Sequence, residues 1–463
     1  MTAYYLLVMT LLVIAGFLTA RARAMSVAGG HPSVLHSLPL YHGLYTAALI
    51  LAGMLALFVI GEPLINWMAR AAALDALAPE FAGDTLHREA FLREVANMLA
   101  ETSPDTGKPE LAAAAGAYQH IRSIGSWSLM LAGLAIGASS LAFGVWRVSR
   151  SFRARNAFER AVEVFLMACA GLAILTTIGI LFSLIGETYR FFFDPAIKGK
   201  PGVLDFLFGL EWNPQAAMRA DQGNISAAYG FVPLLTGTLL ITLIAVLVAG
   251  PLGLFSAIYL AEYAGAKTRA VFKPVLEILA GIPTVVLGFF AALTVAPSIR
   301  GWGEYLGLDI ASESALAAGL VMGMMIIPFI SSLSDDVINA VPQSLRDGAL
   351  ALGATKSEAI KHVVLPAALP GIVAAFMLAV SRAIGETMIV VMAAGLAANL
   401  TFNPLEAVTT ITVQMKTILV GDQEFDSAKT LAAFALGFVL FFITLALNFI
   451  ALRVVRRYRE QYE

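Results

Sequence analysis

Apolar residues in this chain gather in long runs, not in strand-like alternation. A helix needs about 20 apolar residues to cross the hydrocarbon core of a bilayer. Nine runs approach or exceed that length, at roughly 4–20, 44–60, 126–146, 163–185, 234–260, 275–297, 315–332, 370–395 and 430–452. Between the second and third runs lies a polar stretch, 61–125. In it Leu86, Phe91, Val95, Met98 and Leu99 fall near one face of an amphipathic helix. The Ser-Pro-Asp-Thr-Gly-Lys-Pro stretch at 103–109 ends that helix. A second polar segment, 186–233, is richer in Gly, Pro and aromatics; the aromatics of 189–193 fit a membrane-interface belt, and Trp212 fits either contact with an external partner or packing within the segment. The pattern predicts an all-α polytopic membrane protein. Residues 1–155 read as an extension with three spans and an external helical segment, and residues 156–463 as the main body.

Composition agrees. Hydrophobic residues make up 59% of the chain, charged residues 13%, and mean hydropathy is +0.80. Soluble domains carry about 25% charged residues, so a water-soluble enzyme, a disordered chain and a nucleic-acid binder are all excluded. The net charge of −2 supplies no global basic field for polyanions. Cys169 is the sole cysteine, and the six histidines show no paired metal spacing, so neither a disulfide framework nor a metal site is expected.

Basic residues orient the chain. With the N-terminus external, the stretches assigned to the cytoplasm are more densely basic than the external ones, as the positive-inside rule requires. Arg147, Arg150, Arg153, Arg155 and Arg160 form the strongest anchor; Arg453, Arg456, Arg457 and Arg459 form the second. The odd number of spans puts the C-terminus in the cytoplasm. Arg21 and Arg23 follow the first run, the reverse of a cleavable signal peptide, so that run reads as a retained span.

The most informative loop is 333–369. Val341-Pro342 opens a short helix with Pro in its first turn, Gly353 punctuates it, and Thr355-x-x-Glu358 is a capping box for a second short helix. Leu365-Pro366 and Leu369-Pro370 are expected to stop the following segment from forming one continuous helix. In full the loop reads Asp347-Gly348-Ala349, three residues, Gly353, nine residues, Val363-Val364-Leu365-Pro366. This resembles the EAA loop of ABC importer permeases, with Asp347 for Glu, Gly348 for Ala and Val363 for Ile. The resemblance makes Asp347, Gly348, Ala349, Gly353, Leu365 and Pro366 the ATPase-coupling residues. The chain itself lacks a phosphate-binding loop: Gly199-Lys200-Pro201 and Gly107-Lys108-Pro109 lack the hydroxyl residue, and Gly265-Ala266-Lys267-Thr268 lacks the Gly-Lys pair. ATP and Mg are thus expected in a separate subunit, with no cofactor here.

The eighth run contains Ser381-Arg382-Ala383-Ile384-Gly385-Glu386-Thr387-Met388. Arg382 and Glu386 are four apart, which puts both on one face of a helix. A charge inside a span faces a cavity or a partner, and the planar guanidinium suits two-point contact with an oxyanion. Glu386 can hold Arg382 when no anion is bound, and Ser381 and Thr387 offer hydroxyls. A structural ion pair between helices remains the alternative. Glu277 reads as an interhelical hydrogen-bond partner and Glu262 as a solvated cap at a span boundary.

This run resembles the span after the EAA loop in phosphate ABC permeases of the Pst family. Trp212-Asn213-Pro214, Tyr229-Gly230, Gly237-Thr238-Leu239, 259–263 and 276–286 resemble other parts of it. The runs 277–280 and 386–392 look more like the PstC type than the PstA type, and residues 1–155 resemble the extension of long PstC forms. The resemblance implies a type I ABC importer permease fold in the cell inner membrane. It also implies a homologous PstA-like permease, a PstB-like ATPase dimer and a periplasmic PstS-like phosphate-binding protein. Another oxyanion, an organic solute, or a self-sufficient secondary anion transporter or channel are the competing readings.

Overall fold

The computed structural model describes residues 2–75, 85–99, 109–197, 199–214, 229–420 and 427–459. Among them the regular secondary structure is helical, apart from one antiparallel bridge between Trp212 and Tyr229, with turns and loops between the helices. It divides into two compact units, Met1–Thr176 and Thr177–Glu463. Nine described helices are long and apolar enough to cross a membrane, and each overlaps one of the predicted runs.

The first unit holds α1 (Thr2–Val27), α2 (Pro39–Leu74), α3 (Thr85–Leu99), α4 (Pro109–Trp146) and the first part of α5 (Ala154–Phe193). Helices α1, α2 and α4 pack together. Lipid is as apolar as leucine, so contact between such helices relies on small residues that let backbones approach. Gly144 shows the device: a Cβ there would sit 2.6 Å from the Thr46 side chain on α2. Tyr5 is buried in this bundle and donates from its hydroxyl to the Met54 carbonyl at 2.8 Å. The amphipathic helix predicted between the second and third runs is α3, whose Phe91, Val95, Met98 and Leu99 pack with Ala73, Leu111, Ala114 and Ala115. The side chain of Leu86, the 103–108 break and the side chains of Arg456, Arg457 and Arg459 lie outside the described residues.

The second unit continues from α5 through α6 (Val203–Phe208) to α7 (Val232–Ile258), which runs on through a π-helical turn at Tyr259–Tyr263. Its remaining elements are α8 (Ala266–Ala280), α9 (Thr284–Phe290), a π turn at Ala291–Val295, α10 (Ala296–Tyr305) and α11 (Ala315–Ala340). Next come α12 (Gln343–Ala351), α13 (Lys356–Ala359), a third π turn at Ile360–Val364, α14 (Leu365–Ile384), α15 (Met388–Ala393), α16 (Ile411–Leu419) and α17 (Ala428–Arg459). The core sits where α7 and α11 lie against each other, around Ile241, Ala245, Met322, Met325, Ile326 and Ile330. Beside it Gly237 on α7 meets the Thr409 carbonyl so closely that a Cβ there would collide with it. The neighbouring Thr238 hydroxyl accepts the Ile411 N–H at 3.1 Å.

Three predictions need correction here. The sixth span is Thr284–Tyr305, not 275–297. The chain breaks at Gly281-Ile282-Pro283, where proline lacks an N–H to continue α8, and residues 275–280 belong to the amphipathic α8. Glu277 on that helix is exposed, and among the described residues it makes no interhelical hydrogen bond. The belt at 189–193 is divided: Tyr189 and Phe193 are exposed, but Phe191 is buried edge-to-face against Phe206 and Tyr229. Trp212 does pack inside its unit, with Nε1 donating to Gln414 Oε1 at 3.0 Å.

Candidate functional site

The loop after α11 forms an elbow. Pro342 occupies the N-cap of α12, one position before the first turn, and its fixed φ of −55° leads into the helix. At the other end the Gly353 N–H bonds to the Leu350 carbonyl at 2.9 Å and the Ala354 N–H to the Ala349 carbonyl at 3.2 Å. This paired closure is the Schellman motif, which needs a left-handed residue after the helix. Gly353 supplies it with φ +87°. Thr355 then caps α13: its hydroxyl accepts from the Glu358 N–H, and the Glu358 carboxylate accepts from the Thr355 N–H at 2.8 Å.

Contrary to expectation, the prolines at 366 and 370 leave the helix unbroken. Lys356–Ile384 is one continuous helix. The π turn at 360–364 widens the backbone just before Pro366, and the Leu365 N–H reaches back to the Ile360 carbonyl. That wide turn absorbs the missing proline donor without ending the helix. Leu365 and Pro366 are half-buried within this rod, whereas Asp347 and Gly348 are exposed on α12, with Asp347 accepting from Gln343 Nε2 at 3.1 Å. Ala349 is buried on the inner face of α12.

Holding the elbow is a clamp between residues 84 positions apart. Arg346 on α12 donates from Nε to Glu262 Oε1 at 2.9 Å, from Nη1 to the Val341 carbonyl at 2.5 Å and from Nη2 to the Ile338 carbonyl at 2.7 Å. It thereby pairs with the π turn after α7 and adds donors to two carbonyls at the end of α11. The two side chains are only 13% and 9% exposed. The Lys356 ammonium also donates to the Glu262 carbonyl and sits 4.9 Å from the Tyr263 ring centroid. Glu262 is therefore a part-buried clamp, not a solvated cap.

A second strap ties α8 to the end of α11. Asp335, 1% exposed, accepts from Arg269 Nη2 at 2.8 Å and from Lys273 Nζ at 3.0 Å. Lys273 reaches Asp336 as well, at 2.8 Å. Hydrogen bonds to Asp336 and then to Asp335 raise the Lys273 ammonium above its ordinary pKa.

The predicted pairing of Arg382 with Glu386 is not present. Helix α14 ends at Ile384, with Gly385 as its C-cap, so the two residues do not share a helical face. The Glu386 carboxylate instead accepts the Met388 N–H at 3.0 Å and the Ile389 N–H at 3.3 Å, capping α15. Arg382 lies in the last turn of α14, exposed, with its guanidinium 4.5 Å from the Phe329 ring centroid. Ser381 is half-buried beside it, and the Thr387 hydroxyl turns to the Gly385 carbonyl at 3.4 Å. Helix α15 packs on α9, where a Cβ at Gly288 would lie 3.1 Å from the Met388 carbonyl. The helix breaks at 281–283 and 385–387 thus flank two short helices in contact.

Sequence reasoning missed Arg346 and the true place of Glu262. The available signal was a carboxylate at the end of an apolar run and one arginine inside the loop 333–369.

A Cβ at Gly353 would meet nothing within 4 Å, so only its backbone restricts substitution. We expect Gly353→Asn to be mild, Gly353→Ala to cost about 1–2 kcal/mol locally and Gly353→Val to cost more. Amide hydrogen exchange across residues 349–356 should rise in that order. Unchanged exchange in the valine variant would remove the turn argument.

Residues 249–460 match the family described as a binding-protein-dependent transport system inner membrane component, and residues 6–176 match the family described as a phosphate ATP-binding cassette transporter. The probable ABC transporter permease protein YqgH of Bacillus subtilis is 30% identical over 310 residues, covering 67% of this chain and 94% of that protein. Phosphate transport system permease protein PstC 1 of Mycobacterium tuberculosis is 34% identical over 280 residues, 55% of this chain and 82% of that protein. PstC of Xylella fastidiosa strain Temecula1 is 31% identical over 276 residues, with shares of 56% and 81%. Apolar spans, a glycine-turned elbow between two of them, and relatives aligned along most of their length lead to one assignment: the chain belongs to the PstC-type family of ABC transporter permeases.

Proposed function

We propose that this chain is the permease subunit of an ATP-driven phosphate importer, with its N-terminus external and its C-terminus in the cytoplasm. It pairs with a homologous permease and rests on an ATPase dimer that binds ATP and Mg. An external phosphate-binding protein delivers the substrate. The observation that carries this reading is the elbow. Its inner face is clamped by Arg346 and Glu262, while its outer side is bare, with Leu352 at the tip 92% exposed. An exposed leucine at the tip of the turn leaves apolar surface that a groove on another protein can bury. The names of the relatives support phosphate as the substrate.

Closure of the ATPase dimer displaces the tip at Leu352. Because α12 is held to the end of α11 and to the turn after α7, the push reaches both helices. Asp347, Gly348, Ala349 and Gly353 shape the receiving surface, and Leu365 and Pro366 carry the motion into α14. Arg382 has no carboxylate partner among the described residues, so its guanidinium is available to a passing oxyanion. Ser381 and Thr387 add hydroxyls to that path, and Glu386 fixes the start of α15 beside it.

The test is reconstitution of the chain with its candidate permease, ATPase and binding-protein partners in liposomes, followed by radiolabelled phosphate uptake. Uptake should require both internal ATP and the binding protein. Uptake by this chain alone, driven by an ion gradient, would establish a secondary transporter instead. Competition by sulfate or an organic solute at equal concentration would reassign the substrate.

A further inference from the structure

We propose that the cleft at the junction of α4 and α5 binds the phosphate of an anionic phospholipid headgroup. The loop between these helices folds over Phe152, whose ring is held by His42 at 5.8 Å and Tyr45 at 5.2 Å. The Arg147 guanidinium lies 5.4 Å from the Phe152 centroid and 5.8 Å from that of Phe143. Arg147, Arg153 and Arg160 line one cleft of about 690 Å³, with Ser149, Ser151 and Asn156 as neutral donors and, among the described residues, no carboxylate on its wall.

The neighbouring arginines each have a partner elsewhere. Arg150 Nε donates to the Val27 carbonyl at 3.2 Å, and Arg155 pairs with Glu159 at 2.6 Å. Among the described residues, neither Arg153 nor Arg160 has an acidic partner. Three exposed guanidinium groups lining one cleft make it locally positive, and phosphate oxygens match their fork geometry.

Inorganic phosphate offers the same chemistry. Position favours the lipid: the cleft opens where two candidate spans meet, and Trp146 on its rim is 72% exposed. An indole at the end of a span sits at headgroup depth, and basic pockets at that depth collect anionic lipids.

The experiment uses the purified full chain in detergent, titrated with phosphatidylglycerol or phosphatidylcholine, with bound lipid counted by native mass spectrometry. A parallel arm titrates inorganic phosphate. The variants are Arg153→Gln/Arg160→Gln and, as a charge-matched control on α1, Arg21→Gln/Arg23→Gln. We expect retention of phosphatidylglycerol over phosphatidylcholine. The cleft variant should bind it about thirtyfold more weakly, at about a factor of five per arginine, with the control unchanged. Equal loss in both variants would mean diffuse attraction only and overturn the site. Absence of lipid preference, or displacement of the lipid by millimolar inorganic phosphate, would overturn the headgroup as its ligand.

Discussion

Glu262→Gln is expected to bring phosphate uptake by the assembled transporter to background and to uncouple its ATPase from substrate. The substitution leaves the Arg346 guanidinium buried beside a neutral amide. Breaking a fully buried pair from one side costs about 3–5 kcal/mol and an exposed one about 0–1 kcal/mol; this part-buried pair falls between, toward the upper end. That cost falls on the docking of α12, because Arg346 is the residue that joins α12 to both the turn after α7 and the end of α11. Helix content and insertion should persist, since the core between α7 and α11 is untouched. Removing both charges in Glu262→Gln/Arg346→Met should recover part of the uptake, because the remaining side chains no longer include a stranded ion. Wild-type uptake in Glu262→Gln would show that the clamp is dispensable.

The second large effect belongs to Arg382. Arg382→Ala should lower uptake about tenfold to a hundredfold, the worth of a charge-assisted hydrogen bond. The thermal midpoint should hardly move, because the guanidinium only stacks on Phe329, a contact worth about 0.5–1 kcal/mol when exposed. Arg382→Lys keeps the charge and loses the planar fork, so an intermediate rate is expected. Glu386→Ala should behave in the opposite way. It removes a cap that accepts two backbone N–H groups, at a cost of about 1 kcal/mol in stability. Uptake that survives Arg382→Ala would exclude this residue from the anion path.

How far the sequence can be read depends on which forces act locally. Hydropathy finds each of the nine long apolar helices among the described residues, though it shifts the sixth and eighth along the chain, because a span must satisfy its own backbone within one continuous stretch. The capping box at Thr355 and the glycine turn are legible for the same reason: each bonds residues only a few positions apart. The failures come where helix continuity depends on a single residue. Gly385 ends α14 and separates Arg382 from Glu386, although their spacing alone fits a helical pair. Pro366 and Pro370 suggest a break, yet a π turn absorbs one of them and the helix runs on. The clamp between Glu262 and Arg346 is invisible because nothing in local spacing links two residues so far apart; tertiary packing alone brings them together.

The continuity of Lys356–Ile384 has a mechanical corollary. At about 1.5 Å per residue, roughly 39 Å of helix separate Lys356 from Arg382. A swing of about five degrees at the Lys356 end would sweep the guanidinium through about 3 Å, the length of one hydrogen bond. Under the proposed function, grip and release of an anion would then need no relay of intermediate parts, since one continuous helix has the elbow at its base and Arg382 at its head.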